Sequence, residues 1–347
     1  MDNRSVAWDI LPKVSRSFAL AIKVLPQPLG EQTMLAYLIY RLIDTIEDSH
    51  APLKTKRKLF DTLLKSFSKK GYMAAEVEEV RAHMLSQVDC DYERELIEKL
   101  PSVAALFYEQ PATIRRVTLR WGREMASGMY KFQKRKIHTF ADQNRYSYYV
   151  AGVVGYLFND LLYYNRIISK RLRTQLRGRA RHFGLALQKV NILRDVAHDV
   201  PARRYYWPLG VMRRYRLNYD TLLEREKRAA AMAVLREEID DATKYLKSGI
   251  QYVMALPKEE IGVRMFCIIP LFMAIESYAA CANNSDVFET DKTVKISREQ
   301  VGEIVAKSGL WGQSNELLMK WYLTCMGRVD ARLGSAKVEP QIVPVKN

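Results

Sequence analysis

The sequence predicts an all-α protein, a single-domain helical bundle around a central cavity. Three observations carry this. Helical periodicity dominates, four segments are apolar nearly all round, and long strand-like alternation and Gly-rich loops are absent. At 347 residues and 48% hydrophobic content, the chain can bury one large core. Pro101, Pro111, Pro201, Pro208 and Pro257 fall where helices should end.

The elements follow in order. Residues 34–49 (MLAYLIYRLIDTIEDS) read as a buried helix, and 55–69 and 76–88 as more polar, outer ones. Residues 145–164, 182–199 and 263–281 each read as one continuous buried helix, and 226–255 as a further outer helix. Residues 1–333 are taken as one domain, and 334–347 (GSAKVEPQIVPVKN) as a loose, flexible tail.

The net charge of +16 suits an anionic partner: nucleic acid, an anionic membrane surface or a phosphate-bearing substrate. The four cysteines, Cys90, Cys267, Cys281 and Cys325, form no C-x-x-C and fit a reducing compartment. The amino terminus lacks the apolar core of a signal peptide. No run reaches the roughly 18 uninterrupted apolar residues of a spanning helix. These features predict a cytoplasmic protein, with peripheral contact at a membrane as a further expectation.

Two helices carry polar stripes. Tyr37, Arg41, Asp44 and Asp48 step by four, three and four, with Glu47 beside them. A solvent-facing amphipathic helix would explain this, but Leu38, Ile39, Leu42, Ile43 and Ile46 leave little room for a separate core face. Gln188, Asn191, Asp195 and Asp199 form the second stripe, with Arg194 adjacent. Acids one turn apart repel each other unless a basic partner or a divalent metal lies between them. Carboxylates with open coordination suit Mg²⁺, which keeps waters and bridges phosphate oxygens. Arg16, Arg41, Arg194 and Arg204 are candidates for the remaining phosphate charge. The absence of a Walker-type loop argues against ATP as the owner of that phosphate. Tyr146, Tyr149, Phe266, Tyr206 and Trp207 offer aromatic faces for a dry, cation-stabilising pocket.

These residues resemble the squalene/phytoene synthase family of head-to-head prenyl-transferring enzymes. DTIED and QKVNILRDVAHD resemble its two aspartate-rich motifs, and SRSF (15–18) and YSYYVAGVVG (146–155) resemble two further signatures. They occur in the family's order, and the likeness runs from about residue 8 to about residue 330. RRYYWP (203–208) and FCIIPLFMAIESYAACANNSDVF (266–288) resemble the squalene-forming branch.

The resemblance implies an isoprenoid-synthase bundle that condenses two farnesyl diphosphates to presqualene diphosphate and reduces this with NADPH to squalene. It implies Mg²⁺ on Asp44, Glu47, Asp48, Asp195 and Asp199. It gives Tyr146 a part in the first half-reaction, and lines the cation pocket with Phe266 and Tyr206. Ser15, Ser17, Phe18, Tyr37, Arg41, Gln188, Asn191 and Arg194 fall to substrate. Arg16, Arg41, Arg194, Arg204, Asn284, Lys295 and Arg298 fall to the nicotinamide cofactor. His198 stands where the family usually has Glu, and Ser297 replaces a basic residue. The eukaryotic members' carboxy-terminal anchor has no counterpart here, which implies a bacterial-type form. The alternative within the family is a dehydrosqualene or phytoene synthase that does not use NADPH. A basic helical protein binding membrane or nucleic acid is the alternative of another class, suggested by RIISKRLRTQLRGRARH (166–182). The acid stripes oppose nucleic acid, because they repel phosphodiester backbones.

Overall fold

The computed structural model describes residues 2–68, 71–88 and 90–334, apart from the side chains of Arg16 and Ser17. Among these residues the chain forms helices and no strand. In order they are α1 (Asn3–Val14), α2 (Arg16–Lys23), α3 (Leu29–Asp48), α4 (Leu53–Ser66), α5 (Ala74–Leu85), α6 (Asp91–Glu98), α7 (Leu100–Glu109) and α8 (Ala112–Phe132). Then α9 (Phe140–Ser147) passes through a π-helical turn, Tyr148–Gly152, into α10 (Val153–Tyr164). The remainder are α11 (Lys170–Arg194), α12 (Val196–Asp199), α13 (Leu209–Arg214), α14 (Arg228–Ala255), α15 (Ile261–Cys281), α16 (Arg298–Trp311) and α17 (Asn315–Gly334).

The helices gather into two compact units. The described residues within Met1–Lys134 and Val153–Arg177 make the first, and those within Arg135–Gly152 and Gly178–Asn347 the second. The expected tail, 335–347, lies outside the described residues, and Gly334 closes α17.

In the first unit α3 is buried along most of its length, including Leu35, Leu38, Ile39, Leu42, Ile43 and Ile46. Tyr40 donates its hydroxyl to the Thr118 carbonyl at 2.8 Å, pinning α3 to α8. A buried acid, Asp160 on α10, accepts from Trp121 Nε1 at 2.9 Å and Arg173 Nε at 2.7 Å. Paired in this way, Asp160 avoids the cost of an uncompensated buried charge.

In the second unit α15 is apolar enough and long enough to cross a membrane by length and composition, although Arg264 and Glu276 keep it from being an uninterrupted apolar run. Its most apolar window is 61% buried inside the fold, as for a core helix. It contains Pro270 within its run, an exception to the rule that prolines mark helix ends, as does Pro12 in α1. The fully buried Arg264 donates to the carbonyls of Leu256 (2.8 Å) and Gly312 (2.5 Å) and to Asn315 Oδ1 (2.6 Å). One guanidinium thereby satisfies backbone carbonyls at the ends of α14 and α16 and ties in the start of α17.

Two predicted helices are interrupted. Residues 145–164 contain the π turn. A Cβ at Gly184 of α11 would stand 2.2 Å from the Ala151 carbonyl oxygen, so only glycine admits the wide turn this close. Residues 182–199 break at Asp195, whose backbone (φ −94°, ψ 6°) leaves the helix before α12.

Candidate active site

The first stripe lies in the first unit. Ser15 caps α2, its hydroxyl accepting from the Phe18 backbone at 3.3 Å. The Phe18 ring stacks on Tyr37 with centroids 5.8 Å apart. One turn further along α3, Arg41 holds Asp44 at 2.9 Å with one nitrogen and Glu93 of α6 at 2.8 Å with another. Asp44 keeps 32% of its side chain exposed. Crowding by protein atoms nevertheless pushes its carboxyl up to about 6, against the pull of Arg41 and with help from Asp48. Glu47 is buried, and its carbonyl accepts from Lys56 (2.5 Å) and Gln133 (2.7 Å); Asp48 is exposed at the helix end. Arg16 and Ser17 lie outside the described side chains.

The second stripe lies in the second unit. Arg194 grips Asp195 through two nitrogens, both at 2.7 Å, and reaches Asn191 Oδ1 at 3.4 Å. Asn191 donates to Gln188 at 3.4 Å. Past the break, Arg204 pairs with Asp199 at 3.0 Å. Both acid stripes thus carry guanidinium partners. Among the described residues no three carboxylate, histidine or cysteine side chains converge as a ready metal cage.

Beside the Asp199 end of this stripe an aromatic pair forms, its second ring half-buried. Tyr146, only 3% exposed, stacks on Tyr206 with centroids 4.7 Å apart and planes at 17°. The Thr139–Asp142 capping box starts α9 and so sets where Tyr146 emerges. The strap bearing Tyr206 is held at three points. Gln143 Nε2 donates to the Tyr206 carbonyl (3.1 Å), Trp207 Nε1 to the Ile192 carbonyl (3.0 Å), and the Tyr219 hydroxyl to the Trp207 carbonyl (2.5 Å).

The remaining sequence-predicted residues lie on other elements. Phe266 sits partly buried on α15. Asn284 spends its amide locally, donating to the Ala280 carbonyl (3.1 Å) and accepting from the Asp286 backbone (3.0 Å). Lys295 and Arg298 are exposed at the start of α16, which Ser297 caps.

Sequence reasoning missed two features. Glu93 is one, since nothing local in α6 points to Arg41. A buried polar quartet is the other. Lys189 bonds Gln143 Oε1 and pairs with Asp241 at 2.8 Å, while Gln143 Nε2 donates to both Glu238 oxygens at 2.9 and 3.0 Å. Gln143 precedes Tyr146 by three residues, so the quartet fixes the helix and the strap that carry the stacked tyrosines. The i, i+3 acids in REEIDDATKY were the available signal.

Burial pushes the Glu238 carboxyl up to about 7, against Lys189 and the Gln143 amide. The folded protein therefore holds that proton to higher pH than the unfolded chain does. Stability from this source falls as pH rises from about 4.5 to about 7 and is level above. Glu238→Gln removes the charge, so relative to the parent it gains about 2 kcal/mol between pH 5 and pH 8. Melting curves of both proteins across that range check this; parallel curves would refute it.

Comparison with known proteins agrees with these elements. The family model described as squalene/phytoene synthase matches residues 11–300. Squalene synthase BSS of Botryococcus braunii is 30% identical over 312 residues, covering 88% of this chain and 65% of that protein. Squalene synthase of Dictyostelium discoideum is 29% identical over 306 residues, with 88% and 70% covered. The chain thus spans about two thirds of the length of these curated relatives. A solved structure of TcSQS with a bound ligand superposes with a TM-score of 0.81 at 27% identity, covering 96% of this chain and 97% of that one. A dehydrosqualene synthase structure shares the fold at 18% identity, with a TM-score of 0.62. The all-α architecture, the two arginine-bound carboxylate stripes and the match across most of its length place this chain in the squalene/phytoene synthase family.

Proposed function

We propose that the protein joins two farnesyl diphosphates head to head to presqualene diphosphate and reduces that intermediate with NADPH to squalene. The observation carrying this is the stacked Tyr146–Tyr206 pair, with Tyr206 beside the Arg204–Asp199 end of the carboxylate stripe. It joins a cation-tolerant aromatic surface to a diphosphate-handling one. The names of the curated relatives support the same reading.

The donor set fits Mg²⁺. Hard carboxylate oxygens are present, and Mg²⁺ is commonly held by one or two carboxylates plus substrate phosphates, not by an all-protein cage. In the first unit Asp44, Glu47 and Asp48 would hold Mg²⁺, and in the second Asp195 and Asp199 would; when bound, the metal supplies positive charge against the departing diphosphate. Arg41, Arg194 and Arg204 then exchange an aspartate for a phosphate oxygen. Tyr146, its ring stacked on Tyr206, offers a hydroxyl to hold or take a proton, and the pair excludes water from the carbocation.

NADPH supplies hydride. Lys295 and Arg298 suit its phosphates, since both are exposed cations and neither has a carboxylate partner among the described residues. The buried free thiols Cys267, Cys281 and Cys325 favour residence in a reducing cytoplasm.

Incubation with labelled farnesyl diphosphate, with and without NADPH, tests the reading. Squalene is expected with cofactor. Without it, presqualene diphosphate and dehydrosqualene-type or hydroxylated products are expected. Lys295→Ala should shift products the same way, since a lost charged contact costs about 1.5–3 kcal/mol, or ten- to a hundred-fold in affinity. Products indifferent to NADPH would place the chain in the dehydrosqualene or phytoene branch.

A further inference from the structure

We infer that the outer face of α8, α10 and the first two turns of α11 is a docking surface for an anionic lipid bilayer. All of it belongs to the first unit. Arg116, Arg120 and Arg123 recur at helical spacing along the exposed side of α8. Lys170, Arg171 and Arg177 are exposed on α11.

Rings hold two of these cations, Arg120 and Arg177, and also the neighbouring Arg173. Arg120 lies 4.8 Å over Trp121, while Arg177 lies 5.4 Å over Trp121 and 4.1 Å over Tyr156. Arg173 covers Tyr163 at 4.8 Å and Tyr164 at 5.7 Å, and Tyr164 is itself exposed. A guanidinium stacked on a ring loses little further freedom when its edge meets a phosphate.

The face is also unneutralised. Asp160 is already spent on Trp121 and Arg173. Among the described residues no carboxylate pairs with Arg116, Arg120, Arg123, Arg171 or Arg177. Such a stripe repels itself, and a sheet of negative headgroups relieves the repulsion. Tyrosines at its margin match the amphipathic level of a bilayer surface.

A bilayer fits better than nucleic acid. α8 and α11 present their cations as a broad face beside the exposed Tyr164, which suits a flat headgroup layer more than the base edges of a groove. The surface would serve any reaction whose product is insoluble in water, and its test does not depend on which.

The experiment is co-sedimentation of the full chain with phosphatidylcholine vesicles, with and without phosphatidylglycerol. Binding is expected only to the anionic vesicles, and it should fall with added salt. Each cation at such a surface is worth about fivefold in partitioning. The triple variant Arg116→Gln, Arg120→Gln, Arg177→Gln should therefore bind about a hundredfold more weakly. A variant of equal charge change in the second unit, Lys247→Gln, Lys258→Gln, Lys320→Gln, should stay within about threefold of the parent. The inference is overturned by equal binding to neutral vesicles, by equal losses in the two triple variants, or by tighter binding to duplex DNA at the same salt. Circular dichroism of each variant distinguishes lost docking from lost fold.

Discussion

Asp195→Asn is expected to lower turnover of farnesyl diphosphate by about a thousandfold or more, and Asp48→Asn to do the same. Metal-assisted stabilisation of a departing diphosphate is worth several kcal/mol, and each 1.36 kcal/mol is about tenfold in rate. An amide keeps the size of the side chain but loses the charge that holds Mg²⁺.

The fold has little reason to notice. The Arg194–Asp195 pair leaves 28% and 35% of its side chains exposed, and partly exposed pairs contribute about 0–1 kcal/mol. Asp48 stands exposed at the end of α3, so its substitution empties no core position. Melting temperatures should therefore stay near the parent's while activity with Mg²⁺ collapses. Either variant retaining turnover within about tenfold of the parent would sink the assignment of both stripes to the metal.

Tyr146→Phe is the second large effect. Phenylalanine preserves the ring and hence the stack on Tyr206, 4.7 Å away. Only the hydroxyl is lost. A positioned proton-transfer group contributes about 10²–10⁴-fold, so conversion of farnesyl diphosphate should fall by that factor. Supplied presqualene diphosphate enters after the proposed step, and its conversion should stay within about threefold of the parent's, less than one tenfold step of 1.36 kcal/mol. Single-turnover assays on the two substrates separate the cases. Equal losses on both would reassign Tyr146 to packing.

Much of this was legible in the chain because its cause is local. Apolar periodicity placed α3 and α15 within a few residues of their observed ends. Pro111 and Pro208 stand immediately before α8 and α13, where a missing amide costs nothing. The stripes were readable because acids and arginines are costly on an otherwise apolar helix.

What escaped is decided between segments distant in sequence. Glu93 reaches Arg41 across 52 positions, and Gln143 reaches Glu238 across 95. No window contains both partners. The break at Asp195 has no glycine or proline to announce it. Asn284 is expected at the cofactor, yet it serves as a cap, and its neighbour Asn283 takes a left-handed backbone (φ 53°). Short polar residues suit both roles, and sequence alone does not separate them.

The π turn at Tyr148–Gly152 acts as a phase shifter. Such a turn accommodates one residue more than ordinary winding would, and one residue is about 100° of rotation. The helix bearing Tyr146 is already anchored at Gln143, and Ala151 meets Gly184 on the far side of the turn, so the extra residue lets both anchors be satisfied at once. Deleting any one residue of the turn would restore regular winding and put those two anchors out of register, although no side chain of the stacked pair had changed. The fit of this segment is thus encoded in a count of residues as much as in their identity. Natural variation in this stretch should therefore run through substitution, with its length held constant.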